Sequence, residues 1–110
     1  MRKNDYKLAW HIRQYVKQEL LDYKNNKDLV NKVKKYNGNT RGLILVNLRL
    51  KQIESVYNSL NTEDREAAEL IFNKKLSQPL AEIEKGISKA AYYNVMNKVI
   101  YLTAQAMELI

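Results

Sequence analysis

Lys89, Ala90, Tyr93, Asn94, Asn97 and Lys98 fall close together in a stretch with no glycine or proline. If that stretch is helical, Tyr92, Val95 and Val99 take its buried side and these six face outward. Their chemistry suits the edges of base pairs. Asparagine can pair with adenine N6 and N7, an alanine methyl packs on the thymine methyl, and lysine reaches guanine or phosphate. Just before them stand Gly86, Ile87 and Ser88. They supply a glycine for a left-handed corner, an apolar plug for the core and a serine to cap the next helix. Gln78, near the start of the preceding segment, would sit where helix N-termini hold phosphates. A plain capped corner between two helices would contain the same three residues, and asparagine and lysine solvate many exposed helix faces. The stretch also holds no arginine, the commonest base reader.

Other candidate chemistry is thinner. His11 is the only histidine and there is no cysteine, so disulfides, thiolate chemistry and Cys-ligated zinc are excluded. Glu82 and Glu84 fall on different faces of a short helix and make no acid–base pair. Glu63, Asp64, Glu66 and Glu69 form an acidic face that compensates a helix dipole, or else an activator surface that touches polymerase. No nucleophile–base pair or phosphate-binding glycine loop is present. The expectation is a protein with no catalytic activity, cofactor, metal or small-molecule substrate. Tyr6, Tyr15, Tyr23, Tyr57 and Tyr92 lie on apolar stripes, which suits core packing better than stacking on bases. Trp10 lies off its stripe, where it could dock a second chain.

These residues need a scaffold, and 110 residues suffice for one core. The net charge is +7 and unevenly spread. Residues 1–60 carry 13 Lys and Arg against 5 Asp and Glu, and residues 61–110 carry 6 against 7. A basic surface draws polyanions through counterion release, although lysine-rich surfaces also serve solubility alone. No window is long and apolar enough to span a membrane, and no secretory leader is expected. The expected location is the cytoplasm.

Three Gly and one Pro leave little punctuation, so few and long elements are expected. Asn4-Asp5 can cap a first helix along Leu8, Ile12, Tyr15, Val16, Leu20 and Tyr23, which Asn25-Asn26 breaks. A short segment follows with Leu29, Val33 and Tyr36 on one side. Residues 35–42 read as a polar helix-to-helix loop. Leu43, Val46, Leu50, Ile53, Tyr57 and Leu60 step by 3 and 4 alternately, as do Tyr92, Val95, Val99, Leu102, Ala106 and Leu109. That is the pattern of helices packed lengthwise, within one chain or between two copies. Between them lie a helix over 63–74 that Asn61-Thr62 caps, with Ala67, Leu70 and Ile71 inward, and a short helix over 79–85 with Leu80, Ala81 and Ile83 inward. The terminal helix is expected over 89–109.

EDREAAELIFNKK (63–75), the Gly-Ile-Ser corner and the long terminal helix together resemble small phage transcriptional activators of the RinA type. These are related to ArpU-like regulators and, more loosely, to the last DNA-binding region of sigma factors. KLAWHIRQYVKQELLDYKNN (7–26) resembles the N-terminal helix of the same group. The likeness covers about two-thirds of the chain. Leu80-Ala81 stands one residue further from the glycine than the sigma-like Ile-Ala pair. The resemblance implies late-gene activation by promoter binding, with contact to host RNA polymerase.

The resulting expectation is an all-α protein with a C-terminal helix-turn-helix and long heptad-patterned helices. Residues 1–60 would form basic helices packed on the core, and residues 61–110 the region that binds double-stranded DNA. Gln78, Ser88, Lys89, Ala90, Tyr93, Asn94, Asn97 and Lys98 are its candidate contacts. Lys32, Lys34, Lys35 and Arg41, with Lys24 and Lys27, would add phosphate contacts, and a homodimer would pair half-sites. Two alternatives stand beside it: a helical adaptor that binds polymerase or itself, and a small terminase-like packaging subunit.

Overall fold

The computed structural model describes residues 6–36 and 41–110. The expected cap at Asn4-Asp5 and the middle half of the expected loop (37–40) lie outside them. Among the described residues all regular structure is helical. Helix α1 spans Trp10–Lys35, and a 3-10 turn (Arg41–Leu43) leads into α2 (Ile44–Ser59). Helix α3 (Thr62–Ala68) runs on into a π turn (Glu69–Asn73). Helices α4 (Gln78–Lys85) and α5 (Lys89–Ala106) complete the chain.

Helix α1 corrects two expectations. It starts at Trp10 with Ala9 as a cap residue whose side chain makes no bond, and it passes through Asn25-Asn26 without a break. Asparagine in a helix costs roughly 0.7 kcal/mol relative to alanine, which the packing of Tyr23 and Val30 on either side offsets. Lys32, Lys34 and Lys35 in its last turn also suit the negative end of the helix dipole. The buried stripe is Val16, Leu20, Tyr23 and Val30, while Tyr15, Leu29 and Tyr36 are exposed. Tyr15 lies instead beneath the Arg49 guanidinium, 5.7 Å from its ring centre.

Both heptad helices are present, and they pack on each other within the chain. Leu50, Ile53, Tyr57 and Leu60 are buried from α2 and its C-cap. Earlier, where α2 is apolar all round, Ile44, Leu45 and Leu48 remain exposed. Helix α5 buries more than its heptad stripe, adding Met96, Ile100, Thr103 and Ala104, with Met107 buried at its C-cap. It is the central element, and α1, α2, α3 and α4 all pack against it. Val16, Leu20, Phe72, Val99 and Ile100 are wholly enclosed. Each such side chain contributes about 1.5–3 kcal/mol through burial.

The helix expected over 63–74 is α-helical only to Ala68. Asn61 caps it by accepting the Asp64 amide at 2.7 Å. From Glu69 the turn widens, and the Lys74 amide donates to the Glu69 carbonyl at 3.0 Å. A π turn rotates the residues that follow onto another face. Ile71 and Phe72 therefore enter the core, and Leu70 is only half-buried.

Candidate nucleic-acid interface

The corner before α5 is built from local backbone chemistry. Pro79 lies in the first turn of α4, where a missing amide costs nothing. Gly86 ends that helix at φ 68°, ψ 19°, in the left-handed region that favours glycine. Its amide donates to the Glu82 carbonyl at 3.0 Å, and that of Ile87 to the Ala81 carbonyl at 3.3 Å. Ile87 is half-buried against the core. Ser88 then caps α5, its Oγ accepting the Ala91 amide at 3.1 Å. The Tyr92 hydroxyl donates to the Leu76 carbonyl at 2.7 Å, which ties α5 to the strand of chain before α4. Burial holds that hydroxyl above the usual tyrosine range.

Helix α4 is anchored more lightly than expected. Ala81 is its one buried residue, while Leu80 and Ile83 are exposed, Ile83 to 80%. Eight residues make little more than two turns, and the main partner of α4 is α5 alone. Only a narrow stripe can be covered by one neighbour.

On α5 the structure brings Ser88, Lys89, Ala90, Tyr93 and Asn94 to the surface, with Asn97 and Lys98 half-buried. The Tyr93 ring stands edge-on to Tyr92 at 5.1 Å. Lys98 reaches across to Asp64 of α3, Nζ to Oδ2 2.9 Å. That hydrogen bond, with a smaller opposing effect of burial, holds the Lys98 ammonium above its ordinary range. Gln78 is also engaged, its Nε2 donating to Glu82 Oε2 at 2.8 Å along α4.

An open groove of about 570 Å3 runs between α3 and the first half of α5. Ala67, Leu70, Ile87 and Val95 give it an apolar lining, Glu63 and Glu66 an acidic wall, and Ser88 and Asn94 its other side. A polyanion approaching Asn94 from that side meets carboxylates. Lys85 is the cation of the lining.

Lys32, Lys34, Lys35 and Arg41 lie on the last turn of α1 and the 3-10 turn after it, all exposed. Their relation to α5 follows from the way the two helices meet. Tyr6, just before α1, meets Tyr101 with rings tilted at 59° and 5.6 Å apart, Arg13 Nη2 lies 3.9 Å from Met96 Sδ, and Leu21 shares a small cavity with Tyr92. The two helices therefore run in opposite directions. The lysine-rich end of α1 and the N-terminal end of α5 point toward the same end of the molecule. From Arg13 to Lys32 is about 28 Å along the helix axis.

Among the described residues no three His, Cys, Asp or Glu side chains converge on a point, and none of the helices they form is long and apolar enough to cross a membrane. A polar recess where α1, α2 and the π turn meet had no sign in the sequence. Tyr57 lines it from a position that belongs to a regular core stripe. Periodicity places a ring on a face but says nothing of where its hydroxyl ends. The chain matches no protein-family model, no characterised protein and no solved structure.

Proposed function

We propose that this protein is a double-stranded DNA-binding regulator of phage or prophage genes, working in the bacterial cytoplasm as a late-gene activator. The observation that carries this reading is the Gly86–Ser88 corner. It caps α5 and leaves Lys89, Ala90, Tyr93 and Asn94 exposed on its first turns. In this reading α4 and α5 form a helix-turn-helix, α5 enters the major groove, and Asn94 and Lys89 contact base edges. Lys32, Lys34 and Lys35 extend the phosphate footprint at the same end of the molecule. The resemblance to RinA-type activators supports the same assignment. The test is selection of duplex fragments from a random library at low salt. Enrichment of one motif, lost when Lys89 and Asn94 are both replaced by alanine while helicity is kept, is the expected result. No duplex affinity at low salt overturns the reading.

A second reading is favoured by the groove between α3 and α5. Its apolar lining and acidic wall suit a basic, amphipathic segment of another protein, RNA polymerase included. In that case the chain is an adaptor with little DNA contact. A steep fall of DNA affinity with salt supports the regulator. Capture of purified polymerase without any duplex shift supports the adaptor.

A further inference from the structure

The first turns of α2 are apolar all round, and one side of them has no cover. Ile44, Leu45 and Leu48 are 67%, 61% and 48% exposed, while Leu50 and Ile53 enter the core. Positions 44, 45 and 48 adjoin on one helix face, and Lys51, also exposed, extends that stripe by a turn. A helix that is apolar on every side normally has every side covered, and contiguous exposed aliphatic groups mark interaction surfaces. The chain around the patch is uniformly basic, since residues 29–53 hold six Lys and Arg and no Asp or Glu. Arg49 is committed, its Nη1 donating to Gln52 Oε1 at 2.9 Å. Among the described residues Lys51 has no ion-pair partner.

The groove between α3 and α5 has the complementary character. Leu70 and Ile87, both half-buried, give it an apolar floor together with the edges of Ala67 and Val95. Of its charged lining, Asp64 is committed to Lys98, which leaves the exposed Glu63 and Glu66 against Lys85 alone. Residues 62–70 hold four Asp and Glu against one arginine, and Arg65 is bonded back to the Tyr57 carbonyl and Asn58 Oδ1. The groove therefore favours an apolar body that carries positive charge. A rigid helix keeps the two surfaces of one chain apart: from Leu48 to Leu60, next to the start of α3, is about 18 Å along the α2 axis. The patch cannot fold into the groove of its own chain, but every other copy presents it.

We propose that the first turns of α2 of one copy seat in the α3–α5 groove of a second copy. Ile44, Leu45 and Leu48 pack on Leu70 and Ile87, and Lys51 meets Glu63 and Glu66. Patch and groove are different surfaces, so the contact is heterologous and leaves one of each free for the next copy. The proposal rests on the groove of the second reading and names its occupant.

The test is sedimentation velocity of the full chain at low salt, from micromolar to millimolar concentration. Association that grows with concentration and passes beyond a dimer is expected. Ile44→Asp with Leu45→Asp spoils the patch, and Glu63→Lys with Glu66→Lys spoils the groove. Each double variant alone is expected to stay monomeric with its helicity kept. An equimolar mixture of the two is expected to form a dimer and nothing larger, because one intact patch meets one intact groove. A wild-type chain that stays monomeric at millimolar concentration overturns the proposal. So does undiminished association of the groove variant, which would mean that patches pair with each other, and so does a mixture that fails to associate. If the groove variant does not fold, Glu66→Lys alone carries the same expectations and the same overturning results. The mixture contains no polymerase, so its failure removes the second copy from the groove and leaves polymerase capture, the test of the adaptor, as a separate result.

Discussion

The Lys98 ammonium stands 2.9 Å from the Asp64 carboxylate and bridges α5 to α3 one turn beyond Asn94. Both side chains keep some solvent contact, 35% and 22%, so the pair adds well under 1 kcal/mol of stability after screening. On the proposed DNA-binding reading its larger effect is electrostatic, because it occupies a cation that would otherwise be free for phosphate. Asp64→Asn removes a negative charge and releases Lys98. Duplex affinity measured by fluorescence anisotropy at low salt is then expected to rise several-fold. Lys98→Ala is expected to change it little. A loss on Lys98→Ala as large as that on Lys89→Ala would mean that Lys98 leaves its partner to reach DNA.

Gly86 tests the corner without touching any contact residue. A methyl added at its α-carbon meets no atom within 4 Å, so the cost of Gly86→Ala is backbone strain alone. At φ 68° that cost is about 1–2 kcal/mol. Urea unfolding should show a loss of this size, and a smaller one for Gly86→Asn, since asparagine tolerates the left-handed region.

Alkaline pH should unfold the protein ahead of its general charge repulsion. Tyr57, Tyr23 and Tyr92 are all held above the usual tyrosine range, chiefly by burial. The unfolded chain releases these protons near pH 10 and the folded chain later, so stability is complete below pH 10 and falls above it. Lys98, also raised, acts in the same direction. Each group that is still protonated in the fold but titrated in the unfolded chain contributes about 1.4 kcal/mol per pH unit. Tyrosinate absorbance should rise cooperatively with loss of helicity. Tyr57→Phe should flatten the alkaline limb.

Thr103 offers a gain rather than a loss. It is wholly enclosed in α5, and its hydroxyl has no partner. Thr103→Val replaces that hydroxyl by a methyl of similar size. Removing an orphaned polar group should raise stability by about 1 kcal/mol, read as a higher urea midpoint at unchanged slope.

The long elements were legible because their signal is periodic. The alternating steps of 3 and 4 from Leu43 to Leu60, and again from Tyr92, survive any choice of neighbours. Other features depended on the neighbours. Asn25-Asn26 looked like a break because local propensity disfavours asparagine, yet the burial of Tyr23 and Val30 decides the matter. Leu80 and Ile83 looked inward because they are apolar, yet α4 has one main partner and can hide little more than Ala81. The π turn leaves no local trace, since it changes the facing of Leu70 and Phe72 without changing any residue. At the candidate interface, the exposure of Lys89, Ala90, Tyr93 and Asn94 follows from the buried stripe of α5. The engagement of Lys98 depends on a carboxylate 34 positions away, which no spacing rule reaches.

Helix α4 is moored by a single alanine, a proline at one end and a left-handed glycine at the other. Its detachment would uncover little apolar surface, so this is the portion of the molecule that can open while the α1–α2–α5 core stays intact. Amide exchange over residues 82–85 should therefore run by local opening, far faster than over residues 95–103. The shape presented beside the start of α5 is then set by an equilibrium between docked and released α4, one that a single added methyl at Ala81 would shift.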